Sequence, residues 1–249
     1  MTGNPALNQN TFTEVSAASG SEAMTVGGTV QKTGILLGLT VLSASYTWNL
    51  YFADTTGSAT GSMSGWALIG GLGGFAIAMA TIFKKTWSPV TAPLYAVCEG
   101  LFIGAISAIT QARYGVSVIQ AVLLTFGTLA ALLCAYQTGL LRASAPFKRG
   151  VIAATGGIAI AYFISIILGF FHIQVPFING SGALGIGFSV FVVIIAALNL
   201  VIDFDFIEQG AKAGAPKYME WYASFSLLVT LVWLYLEILR LLSKISRRD

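Results

Sequence analysis

The sequence predicts an all-α membrane protein, a bundle of seven transmembrane helices. Three observations predict it. Of the 249 residues, 56% are hydrophobic and only 9% are charged, against roughly 25% charged residues in a soluble domain. Mean hydropathy is +0.80. Seven separate windows also reach the length, about 20 mostly apolar residues, that a bilayer requires. The same composition argues against a nucleic-acid partner. The net charge of +3 is small, and no basic run interleaves with aromatic residues.

The elements follow in order. Residues 1–30 are rich in Gly, Ser, Thr and Asn and lack the charged and apolar regions of a signal peptide. They read as a disordered tail that gains order toward Lys32. The transmembrane domain takes residues 31–245, and a short basic tail takes 246–249. The apolar windows run over about 33–53, 64–83, 90–111, 116–138, 149–172, 183–209 and 217–243. Breakers separate them: ADTTGSATGS, KKTWSP, ARYG, LRASAPFKR, a Pro-Phe-Ile-Asn-Gly turn, and Gly-Ala-Pro at 214–216. Glycines crowd the second span at Gly65, Gly70, Gly71, Gly73 and Gly74, and recur as the Gly100/Gly104 pair in the third and Gly156–Gly157 in the fifth. Small residues at this spacing let helix backbones approach closely in lipid. Cys98 and Cys134 both fall in apolar spans and read as packing residues.

Lys and Arg placement orients the chain. The N-terminal side and its matching loops hold eight basic residues, Lys32, Lys84, Lys85, Arg142, Lys148, Arg149, Lys212 and Lys217, whereas the opposite loops hold only Arg113. The N-terminus is therefore expected in the cytoplasm. Seven crossings then carry Lys244, Arg247 and Arg248 outside, which conflicts with the same rule. Either the earlier loops dominate, or the last segment is re-entrant; the long apolar window from Tyr218 to Leu242 favours a full seventh span.

Of ten acidic residues, six lie in or at the ends of spans: Glu99, Asp203, Asp205, Glu208, Glu220 and Glu237. A charge at the bilayer centre costs at least about 2.5–3.5 kcal/mol, so such residues usually face a bundle interior and serve function. At 1.5 Å per residue, Glu99 lies roughly 13 Å deep and Asp203 roughly 9–15 Å deep, both measured from the cytoplasmic side. Glu208 is shallower and has Lys212 four residues on, a helix pair that solvent tolerates. Glu220 opens the last helix, where a negative charge suits the helix dipole.

Folding the last two spans about Gly-Ala-Pro brings Asp203 level with Ser226 and within a turn of Thr230. Ser226, Thr230 and Glu237 share one helix face, as do Asn199 and Asp203. The expected result is a polar seam. Interhelical hydrogen bonding alone accounts for Ser226 and Thr230, and an ion pair with Arg240 is a sufficient alternative for Glu237. For Asp203 a functional role is the preferred reading. A carboxyl withdrawn from water has its pKa raised toward the physiological range. Protonated, it donates a hydrogen bond; ionised, it needs a cation. Carboxylate and hydroxyl oxygens are also ligands for hard cations such as calcium, so Asp203 and Asp205 are candidate transient calcium contacts. A pH-sensitive cation path is the simplest use of such acids.

These residues carry a family resemblance. Ile202-Asp203-Phe204-Asp205-Phe206-Ile207 resembles the Phe-Asp-Thr-Gln-x-Ile motif of the transmembrane Bax-inhibitor-motif family. PLYAVCEGLFIGAIS resembles its EG-x-x-x-G helix, and EWYASFSLLVTLVWLYLEILRLL its closing segment. The resemblance covers residues 24–245, and the stretch TVGGTVQKTGILL is similar to actinobacterial members. It implies a seven-helix bundle with a central C-terminal helix in a bacterial plasma membrane. It also implies a pH-sensitive calcium leak channel in which an aspartate on the sixth helix shares a proton with one on the seventh. Asp203 matches the first aspartate, but the second position falls on Thr230, so Asp205 or Glu99 would have to substitute. Another bacterial branch also lacks the second aspartate and is associated with modulating a membrane protease. The alternative is therefore a regulator with a membrane-protein partner and no transport.

Enzyme and cofactor readings fail on residues. A retinal protein needs a lysine in its last span, and none lies between Lys217 and Lys244. A rhomboid-like protease needs a Ser–His pair, but the sole histidine, His172, sits at a span end. An aspartyl intramembrane protease needs Gly-x-Gly-Asp, which is absent. No Walker or dinucleotide glycine motif appears, and a structural zinc site lacks ligands. The expectation is no enzyme and no cofactor, with the bilayer and calcium or other cations as partners.

Overall fold

The computed structural model describes residues 23–54, 59–173 and 175–247. It contains seven long helices: α1 (Val26–Ala53), α2 (Ala59–Phe83), α3 (Ser88–Tyr114), α4 (Val118–Gln137), α5 (Ala145–Phe170), α6 (Ala183–Lys212) and α7 (Met219–Ser246). A 3-10 turn, Lys85–Trp87, leads into α3, and a single helical turn, Pro176–Asn179, lies between α5 and α6. All seven helices are long and apolar enough to cross a membrane. In lipid the backbone has no water to bond, so a helix is the only single-segment way to satisfy it.

Polar caps set the ends. Thr25, Ser117 and Ser144 each accept a hydrogen bond from the backbone N–H three residues on, satisfying donors that the first turn leaves open. Gly139 follows α4 and Gly214 follows α6, both at positive φ, where glycine carries no side-chain penalty. Helices α1, α2, α3, α5, α6 and α7 run past one or both edges of their apolar windows, whereas α4 lies within its own. The largest difference is α1. It starts at Val26, so residues 26–30, assigned to the tail by composition, are helical. Residues 1–22, and Arg248 and Asp249 of the basic tail, lie outside the described residues.

Burial ranks the helices. Two thirds of the α7 window and half of the α3 and α6 windows are enclosed, against 11–17% for the other four. The C-terminal helix is thus the most enclosed, as expected of a central helix. The outer helices expose large apolar side chains such as Leu42, Leu68, Phe75, Leu123 and Phe163, a surface suited to acyl chains and not to water.

The chain divides into two compact units. One holds α4, α5, α6 as far as Phe204, and α7 from Thr230. Its core joins Ala154, Ile158 and Tyr162 of α5, Phe188, Val192 and Ile195 of α6, and Trp233 of α7, at the three- and four-residue spacing of packed helix faces. The other holds α1–α3 up to Arg113, the end of α6, and α7 as far as Val229. Here the Gly100/Gly104 pair packs as expected. A Cβ at Gly104 would lie 2.3 Å from the Ala44 carbonyl oxygen of α1, so α1 and α3 touch backbone to backbone. The Thr40 and Thr47 hydroxyls donate across this contact to the Ala96 and Leu101 carbonyls at 3.2 and 3.3 Å. Gly70 packs similarly against α3 at Cys98 and Phe102. Gly65, Gly156 and Gly157 have open space around them, so close helix contact does not account for these three. Both cysteines are free thiols, Cys98 half-buried and Cys134 exposed.

Candidate functional site

Asp203 is 1% exposed on α6, with Asn199 one turn earlier at 3%. The helix places both on one face through their four-residue spacing. Asn199 donates through Nδ2 to Thr155 Oγ1 of α5 at 2.9 Å and to the Ile195 carbonyl at 2.8 Å. Its partner is therefore α5, which the expected seam between the last two spans did not include. Thr230, in the same unit as Asp203, is 3% exposed; Ser226, in the other, is 1% exposed.

Glu237 is also tied to α5. The Tyr162 hydroxyl donates to its carboxylate at 2.9–3.0 Å, and Arg240 Nη1 sits 3.1 Å from Oε1. The Arg240 guanidinium lies 4.7 Å from the centre of the Tyr162 ring. Glu237 is thus held by an ion pair and a phenol. Thr155 and Tyr162 are seven residues apart on one face of α5. That polar stripe in an otherwise apolar span is the sequence signal for both contacts, and the expected seam did not include it.

In the other unit Glu99 is 9% exposed on α3 and accepts a hydrogen bond from Tyr95, one turn earlier. Gly74 of α2 faces it; a Cβ there would come 3.1 Å from Glu99 Oε2. Asp205 is half-buried and accepts from Gln209 Nε2. Residues two apart on a helix point to different sides of it, as Asp203 and Asp205 do. Glu208 pairs with Lys212 at 2.5 Å at the exposed end of α6.

Glu220 is tied to several partners. Its carboxylate is fully buried and takes an ion pair from Lys32 of α1. The Thr25 backbone N–H and hydroxyl both donate to Oε1 at 2.9 Å, and Lys217 Nζ lies 3.4 Å away. A Cβ at residue 28 would sit 2.2 Å from Oε1, so Gly28 is what lets the carboxylate reach the start of α1. The adjoining backbone is tied in as well: Met24 N–H donates to the Ala215 carbonyl at 2.6 Å, and Ser224 Oγ to the Thr29 carbonyl at 2.9 Å. The dipole reading of Glu220 from sequence omitted this clasp.

Lys244, expected outside the bundle, is internal. It is 4% exposed inside α7 and donates to the Ile178 carbonyl at 2.7 Å, the Gly185 carbonyl at 2.9 Å and Ser189 Oγ at 2.8 Å. Three acceptors match its three donors, so it is not a loop charge. Ser246 donates to the Tyr114 carbonyl at 2.6 Å, and Arg247 stacks 3.9 Å from the Tyr114 ring centre. The end of α7 therefore lies beside the end of α3. Its start lies beside the start of α3, where Ser88 Oγ donates to the Tyr218 carbonyl at 3.0 Å. At 28 residues, α7 is long and apolar enough to cross a membrane in full.

Chemically, the described residues offer buried carboxyls, hydroxyls and an amide. A family model described as Bax inhibitor 1 like matches residues 4–247. No curated protein and no solved structure matches the chain.

Proposed function

Because the chain belongs to the Bax inhibitor 1 like family, we propose that it is a pH-sensitive leak channel for calcium or other cations, gated by the Asp203 carboxyl. One observation carries the reading: Asp203 is 1% exposed in the middle of an apolar membrane helix. A carboxyl withdrawn from water favours its neutral form. While neutral it keeps the interior closed through hydrogen bonding. Losing the proton adds a negative charge to an apolar surrounding, which attracts a cation and loosens the closed packing. Buried Thr230 and Asn199, in the same unit as Asp203, supply oxygen atoms for the path. Glu237 contributes less, because Arg240 already neutralises it.

The test is calcium flux into proteoliposomes at several pH values between about 5 and 8, the range that a raised carboxyl pKa reaches. Asp203→Asn is expected to flatten the pH response without unfolding the protein, since the amide preserves shape and a donor. Thr230→Asp is expected to steepen it. Absence of calcium and monovalent cation flux throughout, beside a leaky relative as control, would remove the channel reading. A second reading would then stand, favoured by Thr230 in place of a carboxylate: a regulatory membrane protein acting on a membrane-protein partner.

A further inference from the structure

A cavity of about 870 Å³ opens between the ends of α5 and α7, in the size range of small-molecule sites. Three cations border it, Arg240, Lys244 and Arg247. Among the described residues one carboxylate, Glu237, answers them, and it is engaged by Arg240 and Tyr162. Lys244 spends its donors inside the protein, so it contributes field and not contacts. Arg240 and Arg247 are different. Each is held over a tyrosine ring; Arg240 already gives its Nη1 to Glu237, while Arg247, held by its face, presents its in-plane N–H fork to a planar or tetrahedral oxyanion.

His172 lines the same cavity and takes φ +59. It occupies the position after the α5 cap: its N–H bonds the Gly169 carbonyl and the Ile173 N–H bonds the Leu168 carbonyl, both at 3.0 Å. Glycine ordinarily fills this left-handed position, because a Cβ is strained there. An imidazole held there instead brings a donor to the cavity mouth. The remaining wall mixes Ser165 and Ser243 with isoleucines, of which Ile166 and Ile173 are 61% and 53% exposed at the end of a lipid-facing helix.

The geometry points to a seat for the phosphate of an anionic phospholipid, with the phosphodiester on Arg240, Arg247 and His172 and an acyl chain along Ile166 and Ile173. The positive surplus selects an anion, the guanidinium forks select phosphate oxygens, and the exposed isoleucines select a lipid over a soluble phosphate.

The experiment uses the purified full chain in neutral detergent, with phosphatidylglycerol, phosphatidylcholine or inorganic phosphate added. Thermal unfolding and retained lipid by native mass spectrometry are the readouts. Phosphatidylglycerol is expected to raise Tm and remain bound; phosphatidylcholine is not. Arg247→Gln, which leaves the Glu237 pair intact, should weaken phosphatidylglycerol binding about tenfold, the usual worth of one charged hydrogen bond. His172→Gly should relieve the backbone strain, raising the lipid-free Tm while weakening binding. Lys84→Gln with Lys85→Gln, at the start of the 3-10 turn, should leave binding unchanged. If inorganic phosphate reproduces the Tm rise and phosphatidylglycerol adds nothing, the phosphate seat stands and its lipid source is overturned. If Arg247→Gln binds like the unaltered protein, or loses no more than the Lys84/Lys85 variant, the site itself is overturned.

Discussion

Glu220 shows how a single side chain sets the start of two helices. Lys32 and Thr25 reach it from around the start of α1, and Lys217 from just before α7. Removing one partner of a buried ion pair leaves the other charged and poorly solvated, at a cost of about 3–5 kcal/mol. Lys32 keeps some contact with solvent, 16% of its side chain, so Glu220→Gln is expected to cost about 3 kcal/mol, the lower end of that range. The double variant Lys32→Met with Glu220→Gln should be less destabilised than the sum of the singles, because it removes both members of the pair. Additive losses in thermal unfolding would show that the clasp is not an energetic unit.

Among helix pairs, α1 and α3 make the contact most sensitive to volume. Their backbones meet at Gly100 and Gly104, and the atoms in the way of a new methyl at residue 104 include the Ala44 carbonyl oxygen and Cα. Backbone cannot turn aside as a flexible side chain does, so Gly104→Ala must separate the helices and strain the Thr47 to Leu101 hydrogen bond. The expected loss is about 1–3 kcal/mol, read as a lower unfolding midpoint. Gly156→Ala, in open space within α5, should be neutral or slightly stabilising, because alanine is the better helix former by about 1 kcal/mol. Equal effects at both positions would contradict this packing account. The Gly100/Gly104 spacing was legible in sequence. The open surroundings of Gly156 were not, since spacing identifies small residues but not the helix, if any, that they face.

For the whole molecule, the unsettled property of the sequence was its orientation. Three basic residues near the C-terminus opposed the bias of the eight on the other side. Lys244 now proves internal and Arg247 stacks on Tyr114, which weakens that opposition, because the rule counts charges in short loops and beside span ends. We therefore expect the α4–α5 loop in the cytoplasm. A Ser144→Cys variant, with Cys98 and Cys134 replaced, tests this: Ser144 is exposed, and losing its cap costs only about 1 kcal/mol. An impermeant thiol reagent on intact cells should leave it unlabelled and label it after lysis. Strong labelling from outside would reverse the topology and put the α5–α7 cavity on the cytoplasmic side.

The seven-span, all-helical class was determined by sequence alone. An apolar run of bilayer length has one way to satisfy its backbone within itself, and hydropathy reports that run directly. Sequence also singled out Asp203, because an acid inside such a run is costly wherever it points. Tertiary structure decided what each polar group meets. Glu220 pairs with Lys32 across 188 residues, Glu237 with Tyr162 across 75, and Lys244 with Gly185 across 59. Such pairings depend on which helices are neighbours and how each is rotated about its axis. Helices in lipid gain no hydrophobic driving force from one another, so an apolar stripe does not announce the inward face as it does in water. Small-residue contacts and these few polar bonds make that choice, and they join residues whose relation no local pattern records.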